Sequence, residues 1–104
     1  MFKICVYVPE KSVENVKQAL FDAGAGRIGN YDCCCWQTDG SGQFRPLDGS
    51  NPAIGTHDKI EQVREIKIEL VCEDDRIKSA IKAMKGAHPY EEPAYDVWRL
   101  EEMS

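Results

Sequence analysis

Phe2-Lys3-Ile4-Cys5-Val6-Tyr7-Val8-Pro9 places Phe2, Ile4, Val6 and Val8 on one face of an extended segment and Lys3, Cys5 and Tyr7 on the other. Pro9 lacks the donor a ladder needs and stops the strand. Beyond it, Ser12 stands where an N-cap belongs, and Glu14 lies in the first turn, where the helix dipole favours an acid. Val13, Val16, Leu20 and Ala23 then recur at helical spacing, and Gly24 is placed to end the helix in a left-handed cap. The second half repeats the theme. Ile66, Ile68, Leu70 and Cys72 alternate with Glu65, Lys67, Glu69 and Val71. Asp74 or Asp75 can cap a second helix with a buried stripe of Ile77, Ala80, Ile81 and Met84, which Gly86 ends.

Between these two strand–helix units, Ala25 to Asn30 reads as a glycine-rich connection and Tyr31 to Thr38 as a strand carrying Cys33, Cys34, Cys35 and Trp36. Asp39-Gly40-Ser41-Gly42 predicts a tight turn, and Gln43-Phe44-Arg45 a short hairpin strand. Pro46 to Asp58 is a long loop rich in Gly, Pro, Asn and Ser, of a length that is usually functional or mobile. After the second helix, His88-Pro89-Tyr90-Glu91-Glu92-Pro93 forms a connector stiffened by two prolines, and Ala94 to Leu100 the last strand. The order is the split βαβ pattern of ferredoxin-like α+β folds, βαββαβ, with an extra hairpin and a long loop after strand 2. A chain of 104 residues has room for one core, so residues 1–104 are expected to form a single domain.

A formal net charge of −5, with Lys and Arg scattered among acids, argues against nucleic acid and against an anionic membrane surface as partners. The opening residues are too short and too interrupted for a signal peptide, and the sequence contains no apolar run long enough for a membrane helix, so a cytoplasmic location is expected. Five cysteines without a C-x-x-C pair read as free thiols. Cys33-Cys34-Cys35 suits a strand buried on both faces. A soft-metal or redox set is the competing reading.

Two helices cover only one face of a four-stranded sheet, and the other face should be polar if nothing packs on it. Here it offers Trp98, Leu100, Cys5, Tyr7 and Val71, joined by Cys34 or Trp36. Such a patch predicts a homo-oligomer.

Three stretches carry a family resemblance. They are Ala23 to Tyr31; Gly40 to Pro46 with Gly49 to Gly55; and His88-Pro89-Tyr90-Glu91-Glu92-Pro93-Ala94-Tyr95-Asp96-Val97. Together they resemble the YqfO-type domain inserted in bacterial Ngg-interacting-factor-three-like proteins, here standing alone. The resemblance implies a fold akin to the PII signalling proteins and CutA, which are trimeric, so a trimer is favoured over a dimer. CutA shares the His-Pro-Tyr-Glu element, matched by His88 to Glu91. Larger members carry a dinuclear metal site and are described as type-two GTP cyclohydrolase homologs. Those ligands belong to flanking halves with no counterpart here, so the enzyme label is not carried over. Asp58, preceded by His57, stands where such domains have a glycine, which implies a differently bent loop.

His88, Tyr90, Glu91 and Glu92 are the richest polar group, and with Arg27 and Gly29 they form the candidate ligand site. His88, Glu91 and His57 supply the nitrogen and oxygen donors a divalent metal ion would need. The competing reading of the connector is a turn that aims the last strand. Glycines at 26 to 29 and 40 to 55 could cradle an anion or simply make turns. The function expected is a self-assembling, non-catalytic binding or regulatory module taking a small ligand or metal ion at subunit interfaces. The alternatives are an adaptor that docks a partner protein through the 46–58 loop and, more distantly, a metal-dependent hydrolase-like activity.

Overall fold

The computed structural model describes residues 1–103. Strand β1 (Phe2–Pro9) leads through a 3₁₀ turn (Glu10–Ser12) into α1 (Val13–Asp22), followed by β2 (Trp36–Phe44), β3 (Glu61–Cys72), α2 (Ile77–Ala87) and β4 (Tyr95–Arg99). The strands form one four-stranded sheet in the order β2-β3-β1-β4, and every neighbouring pair is antiparallel. This is the ferredoxin-like α+β arrangement expected from the paired strand–helix units.

Alternation decides which face each strand buries. Ile4, Val6 and Val8 of β1 and Ile66, Ile68, Leu70 and Cys72 of β3 point to the same side. There they pack on Val13, Val16 and Leu20 of α1 and on Ala80 and Met84 of α2. Gly24, with φ 99°, ends α1 as the sequence implied. Gly26 (φ 78°) lets the following loop press against β3, its N–H bonding Val71 O at 2.8 Å.

Several local expectations are corrected. Asp39-Gly40-Ser41-Gly42 is not a turn and Gln43–Arg45 is not a separate hairpin strand, because β2 runs unbroken through Gly40 and Gly42 to Phe44 and pairs along its whole length with β3. Since β1 pairs only with Glu65 to Cys72, residues 41–44 and 61–64 project beyond the sheet as a two-stranded arm. The cysteine triplet is not a doubly buried strand. Cys33 takes φ 55° and is exposed, while Cys34 and Cys35 are half-buried in a loop. Neither Asp74 nor Asp75 caps α2; Arg76 holds that position, and Asp74 binds the terminal amine and Arg99 instead. Gly86 does not end α2, which continues to Ala87 and stops at His88 before Pro89. Asp58 takes φ 65°, a left-handed conformation that glycine supplies freely.

Candidate functional site

The sheet face away from the helices is continuous from the four-stranded region into the arm. Cross-strand partners set it in rows: Trp98, Lys3 and Val71; then Asp96, Cys5, Glu69 and Trp36; then Tyr7, Lys67 and Thr38. Trp36 is 69% exposed and Trp98 49%, although nothing in their own chain requires two indoles in solvent. Cys5 in the middle is buried, and burial pushes its thiol pKa up, so it is packing rather than a reactive group.

Further along the same face lies a cavity of about 380 Å³, where the root of the arm meets the connector and the long loop. Glu65 pairs across from Gly40, and its carboxylate lies over Gly42, where a Cβ would overlap Oε1. Phe44 meets the Tyr90 ring at 5.8 Å between centroids. Arg45, Glu91 and Glu92 also line the space, as do apolar loop residues that include Pro52 and Ile54.

The connector is anchored by His88, which is 7% exposed. Its Nε2 lies 2.7 Å from Tyr7 O, and the Tyr90 N–H donates to Nδ1 at 3.1 Å. An acceptor Nδ1 requires the neutral ring with its proton on Nε2, and burial correspondingly lowers the imidazole pKa. His88 therefore positions Tyr90. The Tyr90 hydroxyl is buried without a hydrogen-bond partner. Burial, together with the neighbouring Glu65 carboxylate, pushes its pKa well up and keeps it protonated.

The loop is pinned to this connector. The Asn51 N–H donates to Glu91 Oε1 at 3.1 Å, and the Asp58 N–H to Pro46 O at 2.7 Å. His57 Nε2 lies 2.9 Å from Ser50 O. Tyr90, Glu91 and Glu92 share one cavity, with His88 behind them. Arg27 and Gly29 do not join them; they lie in the loop after α1, whose neighbouring residue Gly26 bonds Val71 at the far end of β3. Nor do His88, Glu91 and His57 form a metal set, since both ring nitrogens of His88 are engaged within the protein. Among the described residues no three metal-ligating side chains converge. Glu65 and Phe44 are the site residues that sequence reasoning missed. The available signal was Gly40-x-Gly42, which bares one face of a strand to a cross-strand side chain.

No family model matches the chain. It is 45% identical over 98 residues to the GTP cyclohydrolase 1 type 2 homolog of Mycobacterium tuberculosis and 45% identical over 100 residues to that of Bacillus subtilis. These alignments cover 94% and 96% of this chain but only 26% and 27% of the relatives, so the chain spans about a quarter of their length. A solved Bacillus cereus protein related to NIF3 superposes with a TM-score of 0.83 at 42% identity, over 97% of this chain and 26% of that one. CutA from Xylella fastidiosa superposes with a TM-score of 0.70 at 20% identity, over 99% and 86% of the two chains, a likeness of fold alone. The three sequence motifs pointed to this same family. The chain is similar to one segment of the GTP cyclohydrolase 1 type 2 homologs and of the NIF3-related protein, and it shares its fold with CutA.

Proposed function

We propose that the domain is a self-assembling, non-catalytic binding module that joins copies of itself through the open sheet face and holds a small ligand beside Tyr90. The observation that carries this reading is the exposure of Trp36 and Trp98 on that face. Around them Lys3 and Lys67 balance Glu69 and Asp96, so the patch carries no net charge and meets a copy of itself without like-charge repulsion. Burying about 100 Å² of apolar surface is worth roughly 2.5 kcal/mol, and two indoles with Tyr7 and Val71 offer several times that area. The resemblance to CutA and PII favours three copies over two. A cytoplasmic location suits the five free thiols. Among the described residues no helix is long and apolar enough to cross a membrane.

The hydrogen bond that ties the loop to Glu91 favours this reading over an adaptor that docks partners through a free loop. The activity named for the relatives belongs to much longer chains and is not proposed for this segment. Both tryptophans of the chain lie on the proposed interface, so intrinsic fluorescence reports on it directly. Dilution from high micromolar to nanomolar concentration should shift the emission to the red as the indoles enter water. An emission maximum already at the water-exposed position at high concentration, and unchanged on dilution, would refute the assembly.

A further inference from the structure

We infer that the cavity at the root of the arm takes a small organic amine, its ammonium group at the Glu65 carboxylate and its apolar body against the rings of Phe44 and Tyr90. This deepens, and rests on, the reading of the domain as a ligand-binding module. Two observations meet at one point. The Glu65 carboxylate is half-buried over Gly42 and has no ion-pair partner among the described residues. Beside it, the buried Tyr90 hydroxyl adjoins the carboxylate as a donor outside full hydrogen-bond geometry, and it brings no positive charge. A neutral phenol leaves the charge of Glu65 uncompensated, and an ammonium in the cavity can donate to that carboxylate.

The surroundings select the rest of the ligand. Glu91 and Glu92 line the same cavity against a single guanidinium, Arg45, so an anion would face a net negative wall. A bare metal ion is disfavoured because among the described residues no three ligating side chains converge. The tilted pair of Phe44 and Tyr90, with Pro52 and Ile54, supplies an apolar wall that suits an aromatic or aliphatic body and attracts a cation. A volume of about 380 Å³ is at the small end of the range of ligand pockets and fits a molecule of this kind. Because Glu91 also accepts the Asn51 N–H, charge neutralised at the cavity is felt directly by the long loop.

The test is a calorimetric titration of the 104-residue chain with phenethylamine, 3-phenylpropionate and phenethyl alcohol, which share one aromatic body and differ in charge. Phenethylamine should bind at least about tenfold more tightly than the other two, and Glu65→Gln should weaken it by about tenfold. Glu92→Gln is the companion variant. It is exposed with no hydrogen-bond or ion-pair partner among the described residues, so the fold does not depend on it, and it should weaken the amine severalfold. Equal affinity for all three probes, no saturable binding of the amine, or unchanged amine affinity in both variants would overturn the inference. Assembly is read separately by tryptophan emission, so losing the amine leaves the self-association reading standing, and the reverse holds as well.

Discussion

At the scale of single residues, His88 shows how one side chain can tie three segments together. Its ring joins the end of α2 to the Tyr7 carbonyl of β1 and to the backbone of Tyr90, and the bond from the Tyr90 N–H needs the neutral form with Nδ1 unprotonated. Protonating Nδ1 would set two donors against each other at the Tyr90 N–H. Burial lowers the folded-state pKa from the ordinary value near 6.5, although the Tyr7 carbonyl and the Glu65 carboxylate partly oppose the shift. The sign follows from linkage. Above about pH 6.5 both folded and unfolded states hold the ring neutral, and its contribution to stability is complete. As the pH falls below that value the unfolded chain takes up a proton that the folded chain resists. Stability therefore declines until the pH passes the lowered folded value. Urea midpoints measured at pH 7 and pH 5 should show a larger loss for the wild type than for His88→Gln. That variant should itself be about 2 kcal/mol less stable at pH 7 through loss of the buried bonds. An identical pH response in the two proteins would remove His88 from this role.

At the scale of elements, Gly42 tests the coupling between the arm and the cavity. A Cβ at that position meets the far end of the flexible Glu65 side chain rather than backbone, so the carboxylate moves and the strand stays. Gly42→Ala should therefore change unfolding stability by no more than about 1 kcal/mol while weakening binding of phenethylamine about as much as Glu65→Gln does. Unchanged binding would mean that the placement of Glu65 over Gly42 is irrelevant to the site. The same segment shows where the sequence was legible and where it was not. Alternation in Phe2–Pro9 and Ile66–Cys72, and helical spacing from Val13 to Leu20, were readable because each element buries one face against a single core. Asp39-Gly40-Ser41-Gly42 has the composition of a turn, yet both glycines fall on one face of a long strand and leave room for Glu65. That reason lies 25 residues away for Gly40 and is not written locally. Cys33, which breaks the expected strand with φ 55°, carries no mark in its composition either. The connector was legible through its prolines. Its role was only half legible, since nothing in the order His88-Pro89-Tyr90 reveals that both ring nitrogens of His88 are spent on backbone.

At the scale of the molecule, the chain is 49 Å long and 24 Å across, drawn out by the arm that extends β2 and β3 past the sheet. One face of the sheet is closed by two helices, and the other carries both tryptophans, a buried thiol and balanced charges, with no helix over it among the described residues. The cavity opens on that same face at the root of the arm, so assembly through the face and binding at the cavity share one surface. Self-association through this face is tested by size-exclusion chromatography coupled to light scattering. At micromolar concentration the wild type should elute with a mass of about 35 kDa, three times the 11.7 kDa of one chain, and Trp98→Glu should reduce that mass to the monomer with its helical circular dichroism unchanged. A mass twice that of one chain would keep the interface and reject the trimer; a wild-type mass of 11.7 kDa would contradict the account.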